Sequence, residues 1–209
     1  MGINVIPNDL PKLTNGERKV LEKIRSIYKT SEANAYLYIQ PRIRNLEPDF
    51  ILIDPHMGVV ILEVKDWGIS YIRKADRRQV HLNDNKVVDN PLFKANQYFR
   101  AAQGIFSMNE ILLNDYAELK FHLHSFVIFP NLSSNEIEEN DLAPIFDQKP
   151  SAYITSNEFS TVKKEHLFKG NSTIIEEEEV VALRTILFPE IKFISHQHIL
   201  RIIEVLLKL

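Results

Sequence analysis

Two β-rich runs, Asp49 to Ile53 and Val59 to Val64, are separated by only five residues, Asp54-Pro55-His56-Met57-Gly58. With Pro55 and Gly58 at turn positions, so short a connection sends the chain straight back on itself, and the spacing predicts a β-hairpin. A turn near Pro55 to Met57 also sets the register, placing residue 49 opposite about residue 63. Alternate residues of a strand share a face, so Glu63 and Lys65 emerge side by side, flanked by Leu62 and Val64. Asp49 opens the first strand and can lie opposite that pair.

The remaining pattern surrounds this hairpin with helices and short strands. Thr14 to Tyr28 reads as a helix, because Leu13, Val20, Leu21, Ile24 and Ile27 recur at helical spacing and Thr14 with Glu17 makes a capping box. Ala35 to Gln40 reads as a strand closed by Pro41, and Ser70 to Arg73 and Gln79 to Leu82 as further strands, with Asn83-Asp84-Asn85 as a turn before Lys86-Val87-Val88. Asn90-Pro91 opens a helix running to about Ser107, since proline at the first helical position forfeits no hydrogen bond. Asn109 to Leu119 is read as another helix and Phe121 to Phe129 as a strand. This order predicts a mixed α/β or α+β domain with a sheet covered by helices. Residues 132–209 are acidic and lean towards helix. Glu176 to Glu179 precede Val180 to Leu187, a placement the helix macrodipole explains, and Ile199 to Leu209 is a last apolar helical stretch. Its abrupt apolar end reads as a point where a further element continues or docks.

Composition narrows the chemistry. The 209 residues include no cysteine, which excludes disulfides, cysteine-zinc sites, iron–sulfur clusters and a cysteine nucleophile. No apolar run approaches the roughly 20 residues of a membrane helix, and the N-terminus lacks a signal-peptide layout, so an intracellular, cytoplasmic protein is expected. The net charge of −3 does not advertise nucleic acid, but residues 1–110 carry +3 and residues 111–209 carry −6. Arg73, Lys74, Arg77 and Arg78 crowd six positions of the basic half, a patch able to bind phosphate and equally readable as a solvated hairpin.

Asp49, Glu63 and Lys65 form the one constellation with a clear chemical reading. Two carboxylates offer the hard oxygen ligands that suit Mg²⁺ or Mn²⁺. A neighbouring ammonium can orient or help deprotonate a water, or neutralise charge on a phosphate. The pairs His122/His124 and His196/His198 lack a third ligand at local spacing and are read as polar surface or half-buried residues. Trp67 is read as a packing residue, and no glycine-rich dinucleotide motif occurs.

Pro48-Asp49-Phe50, the run Gly58 to Trp67 containing Glu63-Val64-Lys65, and Asn90-Pro91-Leu92 opening a helix together resemble the NERD (nuclease-related) domain of the PD-(D/E)xK nuclease superfamily, over about residues 14–131. The resemblance implies a restriction-endonuclease-like core, a central mixed sheet flanked by helices, in residues 1–135, followed by an acidic, mostly helical extension over residues 136–209. It implies a metal-dependent deoxyribonuclease in which Asp49 and Glu63 hold Mg²⁺ or Mn²⁺, with the Val64 carbonyl as a third ligand, and Lys65 serves the attacking water or the phosphorane-like charge. The family's first helix often carries an acidic residue facing the site, a place matched by Glu17, which serves equally as the capping-box residue. Related proteins often carry Gln three residues after the proline of Asn-Pro-Leu. Lys94 stands there in this chain, with Gln97 one turn later on the same helix face as the candidate substitute. Arg73, Lys74, Arg77, Arg78 and Lys94 are the expected contacts to DNA phosphates. Residues 130–190 further resemble the segment that follows such domains in proteins fused to UvrD-like helicases. No Walker A sequence occurs, so a helicase is implied only as a partner, in the same or another chain, for DNA processing or repair. The alternative reading is a catalytically weak or inactive DNA-binding or docking module of a helicase.

Overall fold

The hairpin forms where the spacing puts it. In the computed structural model, which describes residues 2–7, 11–31 and 33–188, the chain runs β1 (Gly2–Ile6), α1 (Asn15–Tyr28), β2 (Asn34–Ile39), β3 (Phe50–Asp54), β4 (Gly58–Val64), β5 (Ile72–Ala75), β6 (Gln79–Leu82), β7 (Val87–Asp89) and α2 (Pro91–Phe106). It continues through β8 (Leu123–Ile128), α3 (Ser134–Glu139), α4 (Ala143–Phe146), β9 (Ala152–Ile154), α5 (Ser156–Thr161), α6 (Lys164–Leu167) and α7 (Glu177–Leu187). β3 and β4 pair antiparallel, with Phe50 opposite Leu62 and Asp54 opposite Gly58. Extending that register by one residue sets Asp49 against Glu63.

Six strands make one mixed sheet in the order β1-β2-β3-β4-β8-β9. β2, β3 and β4 run antiparallel, while β8 and β9 continue from β4 in parallel. β5, β6 and β7 form a separate antiparallel sheet. Every residue of β3 and β4 is buried, as expected of central strands with both faces covered. On one face, Val20, Leu21 and Ile24 of α1 pack with Leu52, Val60, Leu62 and Val64. On the other, Tyr98, Ala102 and Phe106 of α2 and Leu183 of α7 pack with Ile51, Ile53, Val59 and Ile61. This is the central mixed sheet flanked by helices that the resemblance implied.

Local chemistry fixes the ends of the helices. The Thr14 hydroxyl accepts from the Glu17 N–H at 3.2 Å, and the Glu17 carboxylate accepts from the Thr14 N–H at 2.7 Å, completing the capping box of α1. Asn90, fully buried, accepts from the Leu92 N–H at 2.9 Å and donates to the Asp76 carbonyl at 2.8 Å. It therefore caps α2 and ties it to the small sheet. At the hairpin turn Gly58 has φ +121° and lies so close to the His122 backbone that a side chain there would strike its carbonyl oxygen.

Several expected elements differ. Asn109 to Leu119 is not a helix: a single 3₁₀ turn at Glu110–Leu112 is followed by a loop closed by the Leu113–Leu119 bridge. Asn109 accepts from the Ile111 N–H and Asn114 from the Tyr116 and Glu118 N–H groups, so these side chains take the amide protons a helix would have used. The strand expected at Ser70 to Arg73 begins two residues later, after a 3₁₀ turn at Ile69–Tyr71. The edge strands β1 and β9 add to the expected ones, and β9, at three residues, is too short to show a period. From Ser134 onward, α3 and α4 precede β9 and α5 to α7 follow it, and β9 joins the main sheet with Phe126 opposite Ala152. At the start of α7 the Glu179 carboxylate accepts from the Glu176 N–H at 2.9 Å and pairs with Lys120 at 2.7 Å. The expected helix at Ile199 to Leu209, and His196 and His198, lie outside the described residues. No described helix is long and apolar enough to cross a membrane.

Because Gly58 meets backbone rather than a flexible side chain, Gly58→Ala is expected to destabilise the protein by more than about 1 kcal/mol, read as a lowered urea midpoint. An unchanged midpoint would mean that the turn relaxes freely.

Candidate active site

Glu63 sits near the end of β4 on the face covered by α2, and only 1% of it is exposed. Its Oε1 accepts from the Lys65 ammonium at 2.6 Å and from the Lys94 ammonium, which α2 brings across the sheet, at 3.1 Å. Its Oε2 is buried and makes no hydrogen bond. Lys94 also lies 5.3 Å from the ring centre of Tyr98, one turn further along α2, whose hydroxyl donates to the Glu47 carbonyl at 3.1 Å. Burial, then the charges of Glu63 and Asp49 and the hydroxyl's interaction with the Glu63 carboxylate, push the Tyr98 phenol well above its ordinary range, so it stays protonated beside the carboxylates.

Asp49 completes the centre from the neighbouring strand. Its Oδ2 accepts from the Val64 N–H at 2.6 Å, extending the hairpin's pairing by one side-chain bond. Burial raises its pKa to about 7, with the Glu63 carboxylate adding to the rise and Lys65 and the Val64 N–H opposing it. Two carboxylates brought together out of water favour uptake of a proton or a cation. The centre fits a divalent cation with oxygen ligands: Glu63 presents an oxygen with no partner, and Asp49 faces it from one strand away. Among the described residues no group of three or more His, Cys, Asp or Glu converges, so water, backbone or substrate oxygens would complete a coordination sphere.

The structure distributes the other candidates as follows. Glu17 lies buried at the start of α1, held in the capping box, and its charge still contributes to raising Asp49. Gln97 does not join the carboxylates. Its side chain is exposed in a separate cleft with Arg77 and Arg100, and Lys94 is the α2 residue that reaches Glu63. Lys94, expected on phosphate, is thus held by an ion pair inside the centre. Arg73, Lys74, Arg77 and Arg78 are all exposed: Arg73 and Lys74 lie on β5, where a β-bulge interrupts the pairing with β6, and Arg77 and Arg78 lie in the turn between the two strands.

Sequence reasoning passed over Tyr98 and Asp66. The Asp66 carboxylate accepts from the Gly16 N–H at 2.7 Å, its carbonyl accepts from Asn131 at 3.0 Å, and Asn131 accepts from Lys19 at 2.9 Å. This chain of bonds locks the N-terminus of α1 to the strand end that carries Lys65. No spacing rule could pair residues 16, 66 and 131. Trp67 packs against Phe129 with ring centres 6.4 Å apart, as its packing reading expected. The rings of His122 and His124 stack at 6.2 Å, and burial, with the charge of Lys169, lowers the His124 pKa to about 4.

A family model described as the nuclease-related domain matches residues 12–130, more than half of the chain. A comparison with curated protein sequences finds no match. Among solved structures, the chain is similar to a repair endonuclease from Pyrococcus abyssi, with a TM-score of 0.32 and 13% identity over 70% of this chain and 49% of that one. The chain thus spans about half the length of that protein, and so loose a likeness decides nothing about activity.

The raised Asp49 carboxyl implies a signed pH dependence. An acid whose folded pKa of about 7 exceeds its unfolded value holds its proton more tightly when folded. Its contribution to stability is therefore full in acid and is lost as pH climbs through the interval up to about 7. In EDTA, Asp49→Asn, which keeps an acceptor for the Val64 N–H, is expected to raise the melting midpoint by a few degrees more at pH 8 than at pH 5, by scanning calorimetry. An equal effect at both pH values would show that the carboxylate is not under strain.

Proposed function

We propose, from the premise that this chain belongs to the nuclease-related domain family, that it hydrolyses phosphodiester bonds of DNA at the centre formed by Asp49, Glu63 and Lys65. The observation that carries this reading is the buried Glu63 carboxylate, with one oxygen held by two ammonium groups and the other without a partner. Asp49 and Glu63 would hold Mg²⁺ or Mn²⁺, with the Val64 carbonyl as a further ligand. Bound there, such an ion supplies Lewis-acid polarisation of the phosphoryl oxygen and a lowered water pKa. Lys65, partly exposed beside the carboxylate pair, orients the attacking water or offsets the charge that builds on the phosphate. Lys94 fixes the rotamer of Glu63 and keeps its ligating oxygen turned the other way. Glu17 adds negative charge behind Asp49 and so favours uptake of a positive charge, a proton or a cation, at that carboxylate. Exposed cations on the small sheet, Arg73, Lys74, Arg77 and Arg78, take the backbone phosphates. A helicase, in the same or another chain, is the proposed partner.

The Lys94–Glu63 ion pair also favours a second reading, a DNA-binding or docking module without catalysis, because two ammonium groups already balance Glu63. Cleavage of labelled single-stranded, double-stranded and forked DNA with Mg²⁺, Mn²⁺ or EDTA separates the two. Metal-dependent cutting is expected, with Lys65→Ala and Asp49→Ala each lowering its rate by at least about 100-fold. Cutting that survives both substitutions would overturn the assignment, and DNA binding indifferent to EDTA without any cutting would establish the second reading.

A further inference from the structure

One turn and two turns beyond Lys94 on α2, Gln97 and Arg100 line a polar cleft of about 400 Å³ whose other walls are Arg77, from the turn between β5 and β6, and Lys149, from the loop before β9. Arg77, Arg100 and Lys149 are exposed, and none is in an ion pair with a described residue. One carboxylate, Asp147, lies in the same cleft, so the lining carries three positive charges against one negative. Phe93, half-buried, gives it an aromatic wall.

The three segments that meet here are bonded together. The Gln148 side chain donates to the Arg77 carbonyl at 2.9 Å, and the Asn96 side chain donates to the Gln148 carbonyl at 2.9 Å. The Asn96 oxygen accepts from the Ser151 N–H at 3.0 Å. Three cations from distant parts of the chain are thus held close together on a braced backbone, against the self-repulsion of like charges. Of the basic run at 73–78, only Arg77 takes part.

We infer that this cleft holds a phosphate of a single DNA strand that passes along α2 to the carboxylate centre, with Arg77, Arg100 and Lys149 on the phosphate and a base against Phe93. Clustered cations beside an aromatic ring are the two features by which single strands are gripped without reading sequence. Six residues of helix separate Lys94 from Arg100, about 9 Å of rise, a span of roughly one to three nucleotides of a single strand according to how far it is extended. The bound phosphate therefore lies a few nucleotides from the bond facing Glu63. This inference rests on the nuclease reading and adds a binding subsite to it.

The test is anisotropy of a fluorescein-labelled single-stranded oligonucleotide titrated with the whole protein in EDTA, repeated across KCl concentrations. Arg77→Gln, Arg100→Gln and Lys149→Gln are each expected to weaken binding about three- to tenfold and to lower the slope of log affinity against log salt by about 0.7. Arg100→Lys should retain the slope, which separates loss of charge from loss of fold. Lys29→Gln, an exposed charge at the far end of α1, should change neither quantity. Unchanged affinity and slope in the triple Gln variant, with the unsubstituted protein binding normally, would overturn the cleft and leave the nuclease reading standing. Failure of the unsubstituted protein to bind the oligonucleotide even at low salt would likewise overturn the cleft, whereas the nuclease reading stands or falls on metal-dependent cleavage.

Discussion

The pairing of β3 with β4 is the constraint on which the site depends. Side chains of a strand alternate between faces, so a slip of one residue would turn Glu63 from the α2 side of the sheet to the α1 side and break the meeting with Lys94. The register is held at several points. Both strands are buried throughout and apolar except at Asp54 and Glu63, Gly58 closes the turn against the His122 carbonyl, and the Lys65 N–H donates to the Ile128 carbonyl at 2.9 Å. The Asp49–Val64 bond then continues the ladder beyond its last backbone pair, making a site residue part of the hairpin's own hydrogen bonding.

That scaffold carries an electrostatic load. A carboxylate taken out of water costs free energy that its ion pairs repay only with good geometry, and an apolar residue of similar size often serves stability as well. At Glu63 the geometry is good on one oxygen and absent on the other. Asp49, next to it, answers the same crowding with a pKa of about 7. A buried acidic pair with an unsatisfied oxygen makes poor structural cement. Its arrangement has a physical rationale once a cation shares the site, and the cations around it have complementary places: Lys65 and Lys94 on the carboxylate, Arg77, Arg100 and Lys149 in the neighbouring cleft.

The parts legible in the sequence were those set by short-range patterns. The hairpin register followed from a five-residue connection, the α1 cap from Thr14 and Glu17, and the start of α2 from Asn90-Pro91. Local competition defeated the pattern at Asn109 to Leu119, where apolar spacing suggested a helix and asparagine side chains made turns instead. Helix phase defeated the expectation at Gln97: residues three apart share a broad face, but Lys94 reaches Glu63 while Gln97 opens on the next cleft. Contacts across 50 residues or more, such as Gly16 with Asp66 or Arg77 with Gln148, left no local trace, so the anchoring of α1 and the convergence of the three cations became visible only in three dimensions.

The central claim is that the unpartnered oxygen of Glu63 belongs to a divalent-cation site. Binding of Mn²⁺ at pH 8, followed by loss of the free-ion paramagnetic resonance signal, measures this without requiring turnover. Saturable binding by the unsubstituted protein that disappears in Glu63→Gln, with the melting curve of the variant still cooperative, is the predicted result. Binding of equal strength in Glu63→Gln, or none in the unsubstituted protein, would contradict it.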